Sequence, residues 1–261
     1  MSDTTTPLAV TRFSAWQWGV PLSALLLMAV LWALSGNVTI FLWLNKTFAN
    51  LGDAFWSHVT ILGDVVPFLL LLLFCGRRPQ VIWQMLIATM FAILWTQSLK
   101  APLGVLRPPA VMDIGQIHLI GPMFLNNSFP SGHTTTVFVL AGVLCLQNFH
   151  YSLKALFLMM AILVGLSRIA CGVHWPMDVL GGAFGGWTAA VLGNWIGLQW
   201  RAGLHQNVQR VVALLLFSVA VWVVFRTPTD FIQTREFQVV VAIAALGFSI
   251  PALMKLFKLR S

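Results

Sequence analysis

Six polar residues stand out in this chain: Lys100, Arg107, His133, Arg168, His174 and Asp178. They fall in three short segments. "KAPLGVLRP" holds Lys100, Arg107 and Pro108; "PSGH" runs from Pro130 through Ser131 and Gly132 to His133; "SRIACGVHWPMD" carries Ser167, Arg168, His174, Trp175 and Asp178. Three cations suit an anion with several oxygens, and arginine meets such an anion with a planar fork of donors. Ser131 and Gly132 precede an apolar run of helical length, whose first N–H groups are unpaired and favour an anion. Gly132 also permits close approach of the backbone. His174 lies four residues before Asp178. A carboxylate on one ring nitrogen fixes the tautomer and leaves the other nitrogen free to attack. Pro176 suits the first turn of a helix and disfavours helix at Trp175, so spacing permits the His–Asp contact without forcing it. His133 is then left as a general acid for a leaving oxygen. Phosphoryl transfer needs mostly positioning and charge stabilisation, which these groups supply.

The rest of the chain must hold those residues, and it is mostly oil. Of 261 residues, 59% are hydrophobic and 8% charged, with mean hydropathy +0.86. Soluble domains carry roughly 25% charged residues, so the chain is expected to be an all-α, polytopic membrane bundle. Segments of about 20 apolar residues cross a bilayer, and about eight are expected here. They are 17–35, 58–75, 80–99, 133–148, 153–171, 177–199, 208–225 and 237–257. "GRRPQ" turns the second into the third. Residues 38–55 are amphipathic and too short to cross, and are expected at the interface. The first run follows Arg12 and is expected to be retained as an anchor, not cleaved.

The net charge of +8 does not indicate nucleic acid, because the basic residues are scattered between apolar segments. Their distribution instead sets topology. With eight spans, one side holds Arg12, Arg77, Arg78, Lys154, Arg201, Arg210, Lys255, Lys258 and Arg260, with Asp3. The other holds Lys46, Lys100, Arg107, Arg168, Arg226 and Arg235, with Asp53, Asp64, Asp113, Asp178, Asp230 and Glu236. The positive-inside rule places the termini in the cytoplasm and all three polar segments at the outer surface.

Lys100–Pro108, Pro130–His133 and Ser167–Asp178 match K-x6-RP, PSGH and SR-x5-H-x3-D in order and without substitution. In this the chain resembles the type 2 phosphatidic acid phosphatase family. The motifs cover 100–178, and the arrangement of spans extends the likeness over 58–199. The resemblance implies a six-helix phosphatase core, with 1–57 before it and two additional spans in 200–261. It implies that His174 is a nucleophile forming a phosphohistidine, Asp178 its orienter and His133 the acid. Lys100, Arg107, Ser131, Gly132 and Arg168 bind the phosphate, and no metal or other cofactor is implied. The expected substrate is a lipid phosphate or pyrophosphate: phosphatidate, phosphatidylglycerol phosphate or undecaprenyl pyrophosphate. The expected setting is a bacterial-type inner membrane with the site facing the periplasm. Two alternatives stay open: a phosphotransferase passing phosphate to lipid A or another lipid acceptor, and a non-catalytic lipid-binding or transport protein. A soluble vanadate haloperoxidase shares such motifs, but the spans argue against it.

Other residues are weighed beside these. Asp64 and Ser167 are candidate accessories, and Trp175 lines a lipid path or anchors at the interface. His58 reads as an interfacial residue, and Asp113 and His118 as solvated. The loop 101–129 is expected to lie over the site. Gly181, Gly182, Gly185 and Gly186 read as close packing within the bundle in preference to a dimer contact. Cys75, Cys145 and Cys171 read as small core residues.

Overall fold

The computed structural model describes residues 15–64, 66–226 and 229–258. Asp3, Arg12 and Arg260, which entered the charge balance, lie outside the described residues. Among the described residues the only regular structure is helical. The long or medium helices are α1 (Ala15–Ala33), α2 (Asn37–Ala49), α3 (Asp53–Ile61), α4 (Val66–Leu72) and α5 (Pro79–Leu103). A one-turn α6 (Pro108–Val111) precedes α7 (Gly132–Cys145), α8 (Tyr151–Ala170), α9 (Pro176–Gln199), α10 (Gln206–Arg226) and α11 (Arg235–Leu256). Five are long and apolar enough to cross a membrane, or six if α3 and α4, bent by 47°, count as one span. The protein is a multi-span membrane protein.

Two expected spans differ in kind from the other six. The fourth is α7, only 14 residues long. At 1.5 Å per residue it reaches about 21 Å, short of a hydrocarbon core of roughly 30 Å. The sixth is α9, which has the length but is rich in glycine and lies at the centre of the bundle, against α5, α7 and α1. The lipid-facing helices carry exposed Leu22, Leu26, Trp32, Leu215 and Phe248 instead.

Glycine sets the central packing. A Cβ at Gly186 would stand 2.4 Å from the Thr135 carbonyl oxygen, and one at Gly182 2.8 Å from that of Ser131. Gly181 and Gly185 seat Phe129 and Trp95 in the same way. The four glycines therefore serve contacts inside the bundle, drawing α7 and α5 onto α9.

Helix ends place the chemistry. Pro79 opens α5, and Gly104 ends it in the left-handed region at φ 51°, its N–H bonded to the Lys100 carbonyl. Lys100 is thus in the last turn. Pro176 opens α9 with Asp178 in its first turn. Ser131 caps α7, accepting from the Thr134 N–H.

The stretch at 38–55 does more than rest on an interface. Phe41 and Asn45 are buried. The Asn45 amide donates to the carbonyls of His118, Ile169 and Ala170 at 2.8, 3.0 and 3.1 Å and accepts from the His118 N–H at 2.7 Å. One side chain thereby joins α2, the end of α8 and the long loop. That loop is docked over the bundle: Ile117 and Ile120 are buried, and the Ile120 N–H bonds the Cys171 carbonyl. His118, expected to be solvated, pairs with Asp53 at 2.7 Å. His58 contacts the Ala54 carbonyl and the Phe237 ring. The three thiols are buried and unbridged. The C-terminal helices α10 and α11 pack on each other and on α4.

Candidate active site

The three sequence segments meet at one end of the bundle. Lys100 comes from the end of α5, Arg107 from the turn before α6, and His133 from the first turn of α7. Arg168 comes from the last turn of α8, and His174 and Asp178 from the α8–α9 junction.

His174 and Asp178 are both buried, with Nδ1 and Oδ2 3.2 Å apart. The spacing that Pro176 left open is therefore closed. The same carboxylate oxygen accepts the Trp175 N–H at 2.8 Å and the Ser128 hydroxyl. Ser128 Oγ also stands 3.5 Å from His174 Nδ1. With Nδ1 engaged, Nε2 is the nitrogen left for chemistry. Burial first, then the nearby Arg107, Arg168 and Lys100, hold the His174 imidazole well below its ordinary pKa of 6.5. It is neutral at neutral pH, with a lone pair on Nε2.

Ser128 was not anticipated. Its only trace is one more hydroxyl in "NNSFPSGH", two residues before a motif that drew attention away from it. A backbone clip brings it in: the Ser128 N–H bonds the Val105 carbonyl at 2.8 Å and the Arg107 N–H bonds that of Leu125 at 2.9 Å. This clip places the Ser128 hydroxyl and the Arg107 guanidinium in one site.

The cations are held by neutral groups. Arg107 donates to the carbonyls of Asn126 and Val173 at 2.9 and 3.2 Å and lies over the Phe124 ring. Arg168 is 3% exposed and donates to Thr60 Oγ1 at 2.6 Å, and its Nε has no partner. The Lys100 Nζ is 4.0 Å from the position a Cβ would take on Gly132. Among the described residues, none of the three cations forms an ion pair. Cations taken out of water without a directly paired counter-charge are costly, so the site is suited to receive an anion. His133 lies within electrostatic reach of all three and of His174.

Gly132 and the α7 N-terminus face this cluster, and Ser131 braces it. The Ser131 hydroxyl accepts from Thr134 Oγ1 at 2.9 Å, and its N–H donates to the Asp178 carbonyl at 3.0 Å. Two residues sit otherwise than expected, and Asp64 keeps its place as a candidate accessory. Ser167 spends its hydroxyl on the Val164 carbonyl of its own helix. Trp175 is buried, with its indole N–H on the Leu106 carbonyl and its ring edge-on to Phe41, so it neither lines a lipid path nor anchors at the interface. Asp64 stays on the rim, exposed, lining a cleft of about 230 Å³ between α4, α5 and α7. His133, Thr136 and apolar Leu71, Met85 and Leu140 share that cleft.

At one end of a helical membrane bundle, a buried histidine–carboxylate pair thus lies near three cations that form no ion pair among the described residues, an arrangement suited to binding a phosphate. The sequence pattern of the PAP2 superfamily matches residues 81–202. The chain is 36% identical over 100 residues to the lipid A 1-phosphatase of Rhizobium etli, 37% of this chain and 42% of that protein. It is 35% identical over 97 residues to the putative undecaprenyl-diphosphatase YbjG of Escherichia coli, 35% of this chain and 46% of that one. The match thus spans under half the length of these curated relatives. The crystal structure of Aquifex aeolicus LpxE superposes with a TM-score of 0.55 at 30% identity, over 63% of this chain and 95% of that one. The chain belongs to the PAP2 superfamily.

Proposed function

We propose that this protein is a lipid phosphate phosphatase acting through a phosphohistidine on His174. The observation that carries the reading is the cluster of Lys100, Arg107 and Arg168, without ion-pair partners among the described residues, around a neutral, oriented imidazole. Lipid A 1-phosphate and polyprenyl diphosphate, the substrates in the relatives' names, are of this class, as are phosphatidate and phosphatidylglycerol phosphate.

The three cations and the α7 N-terminus neutralise and hold the phosphate oxygens. His174 Nε2 attacks phosphorus while the bond from phosphorus to the lipid oxygen breaks, and His133 gives that oxygen its proton. Asp178 stabilises the cationic imidazole that forms, and Ser128 fixes the carboxylate. Water then attacks the phosphohistidine with its proton passing to His133, the nitrogen–phosphorus bond breaks, and inorganic phosphate leaves. Side chains supply the charge stabilisation, so no metal enters these steps.

The functional core is 58–199, and the remaining helices are additions to it. Lys100, Arg107 and Arg168 are accounted for by the chemistry. Discounting them leaves nine basic residues against three for topology, which supports cytoplasmic termini and an outward-facing site in a bacterial-type inner membrane. The test is release of inorganic phosphate from lipid phosphates by the purified protein. His174→Ala should abolish turnover with the fold intact; turnover at the wild-type rate would refute the assignment.

A further inference from the structure

The proposed chemistry leaves Asp64 unused, and it leaves the C-terminal helices without a task. Asp64 lines the cleft, and the loop between the C-terminal helices packs on α3 just before it. Asp64 sits in the turn between α3 and α4, and that turn presses on the proposed acid: a Cβ on Gly63 would lie 3.0 Å from both Cβ and the carbonyl oxygen of His133. Asp64 and His133 line the same cleft. His133 protonates the leaving oxygen, so this cleft is where the leaving group lies, and an exposed carboxylate stands at its mouth.

The loop between α10 and α11 is pinned beside it. The Gln233 amide donates to Ser57 Oγ of α3 at 2.7 Å, and Phe231 is buried against Gly121 of the long loop. This holds exposed Asp230 within electrostatic reach of both Asp64 and Arg168. The cleft that His133 shares therefore carries the Asp64 carboxylate, and Asp64 and Asp230 both lie within electrostatic reach of Arg168.

We infer that Asp64, backed by Asp230, determines specificity, favouring a lipid monophosphate whose leaving group presents hydrogen-bond donors, such as a sugar, over a lipid diphosphate. The inference rests on the phosphatase reading above. A carboxylate accepts bonds from hydroxyl and amide donors and offers none. When a diphosphate is cleaved, the leaving group is itself a phosphate ester, and its negative charge arrives beside Asp64. Like charges brought close outside bulk water repel. A sugar leaving group meets the same carboxylate as a partner.

The test compares wild type, Asp64→Asn and Asp230→Asn, each as full-length protein in one detergent. The substrates are lipid A bearing a 1-phosphate, undecaprenyl diphosphate and phosphatidate, with released phosphate measured for each. The readout is the ratio of kcat/KM for the sugar phosphate to that for the diphosphate. A ratio taken within one preparation is unaffected by loss of folded protein. Asp64→Asn should lower it by about tenfold, the scale of one largely solvent-screened unit charge at close range, and Asp230→Asn should lower it by less. An unchanged ratio in Asp64→Asn, with phosphate still released, would overturn the role of Asp64 and leave the phosphatase reading standing. No release by the wild type from any of the three would overturn the phosphatase reading and this inference together.

Discussion

At the scale of residues, the proposed nucleophile depends on two neighbours of different strength. Asp178 makes the shorter contact to His174, whereas Ser128 acts chiefly through Asp178 and touches the ring only at 3.5 Å. Losing a hydrogen bond to a charged group costs about 1.5–3 kcal/mol, so Ser128→Ala should lower kcat roughly ten- to hundredfold, with a smaller change in KM. Steady-state kinetics on one lipid phosphate decide this; a Ser128→Ala enzyme at full rate would remove Ser128 from the network. His174 also sets a pH dependence. Its folded-state pKa is depressed below 6.5, so the free enzyme keeps a neutral nucleophile as pH falls through that value. The acid limb of kcat/KM should therefore lie below pH 6.5, and a limb above it would contradict the buried, cation-flanked environment. The chemistry-bearing residues were legible because their types are rare in an apolar chain and their spacings are tight. Ser128 was not, since a serine in a loop is common and the clip through Val105 and Leu125 appears only once the chain folds.

At the scale of elements, the site is as rigid as the contact between α7 and α9. Ser131 in the α7 cap bonds the Asp178 backbone, and Gly182 and Gly186 let the helices close. Gly186→Val would drive a branched side chain into the Thr135 backbone. Overpacking of this kind costs roughly 1–3 kcal/mol or more, and here it would separate His133 from His174. Thermal unfolding in detergent and phosphate release should fall together; a stable, active Gly186→Val protein would show that the helices need not close so tightly. The ends of α5 and α9 were readable from Pro79 and Pro176, and α1, α8, α10 and α11 from uninterrupted apolar length. The docking of α2 was not readable. Asn45 bonds residues 73, 124 and 125 positions away, and an amphipathic stretch reads alike whether it meets a headgroup layer or the end of another helix. The break between α3 and α4 falls at 62–64, where Gly63 and the charged Asp64 interrupt an otherwise apolar run that reads as one span.

At the scale of the whole molecule, all the site residues gather at one end of the bundle, and the C-terminal pair joins that end through Gln233 and Phe231. Charge distribution supports an outward site. A cysteine placed at exposed Gln116 in the long loop should react with a membrane-impermeant maleimide in intact spheroplasts, and one at exposed Gln206 only after lysis. The native thiols are buried and contribute little background. The reverse pattern would invert the topology and turn the site toward the cytoplasm. The proposed chemistry depends on one bond, between phosphorus and His174 Nε2. Acid-sensitive, base-stable phosphate should be found on His174 when the protein is quenched during turnover of a labelled lipid phosphate, located by mass spectrometry under alkaline digestion. The adduct should be absent from His174→Ala. Turnover by His174→Ala at the wild-type rate, or the adduct on another residue, would contradict the account.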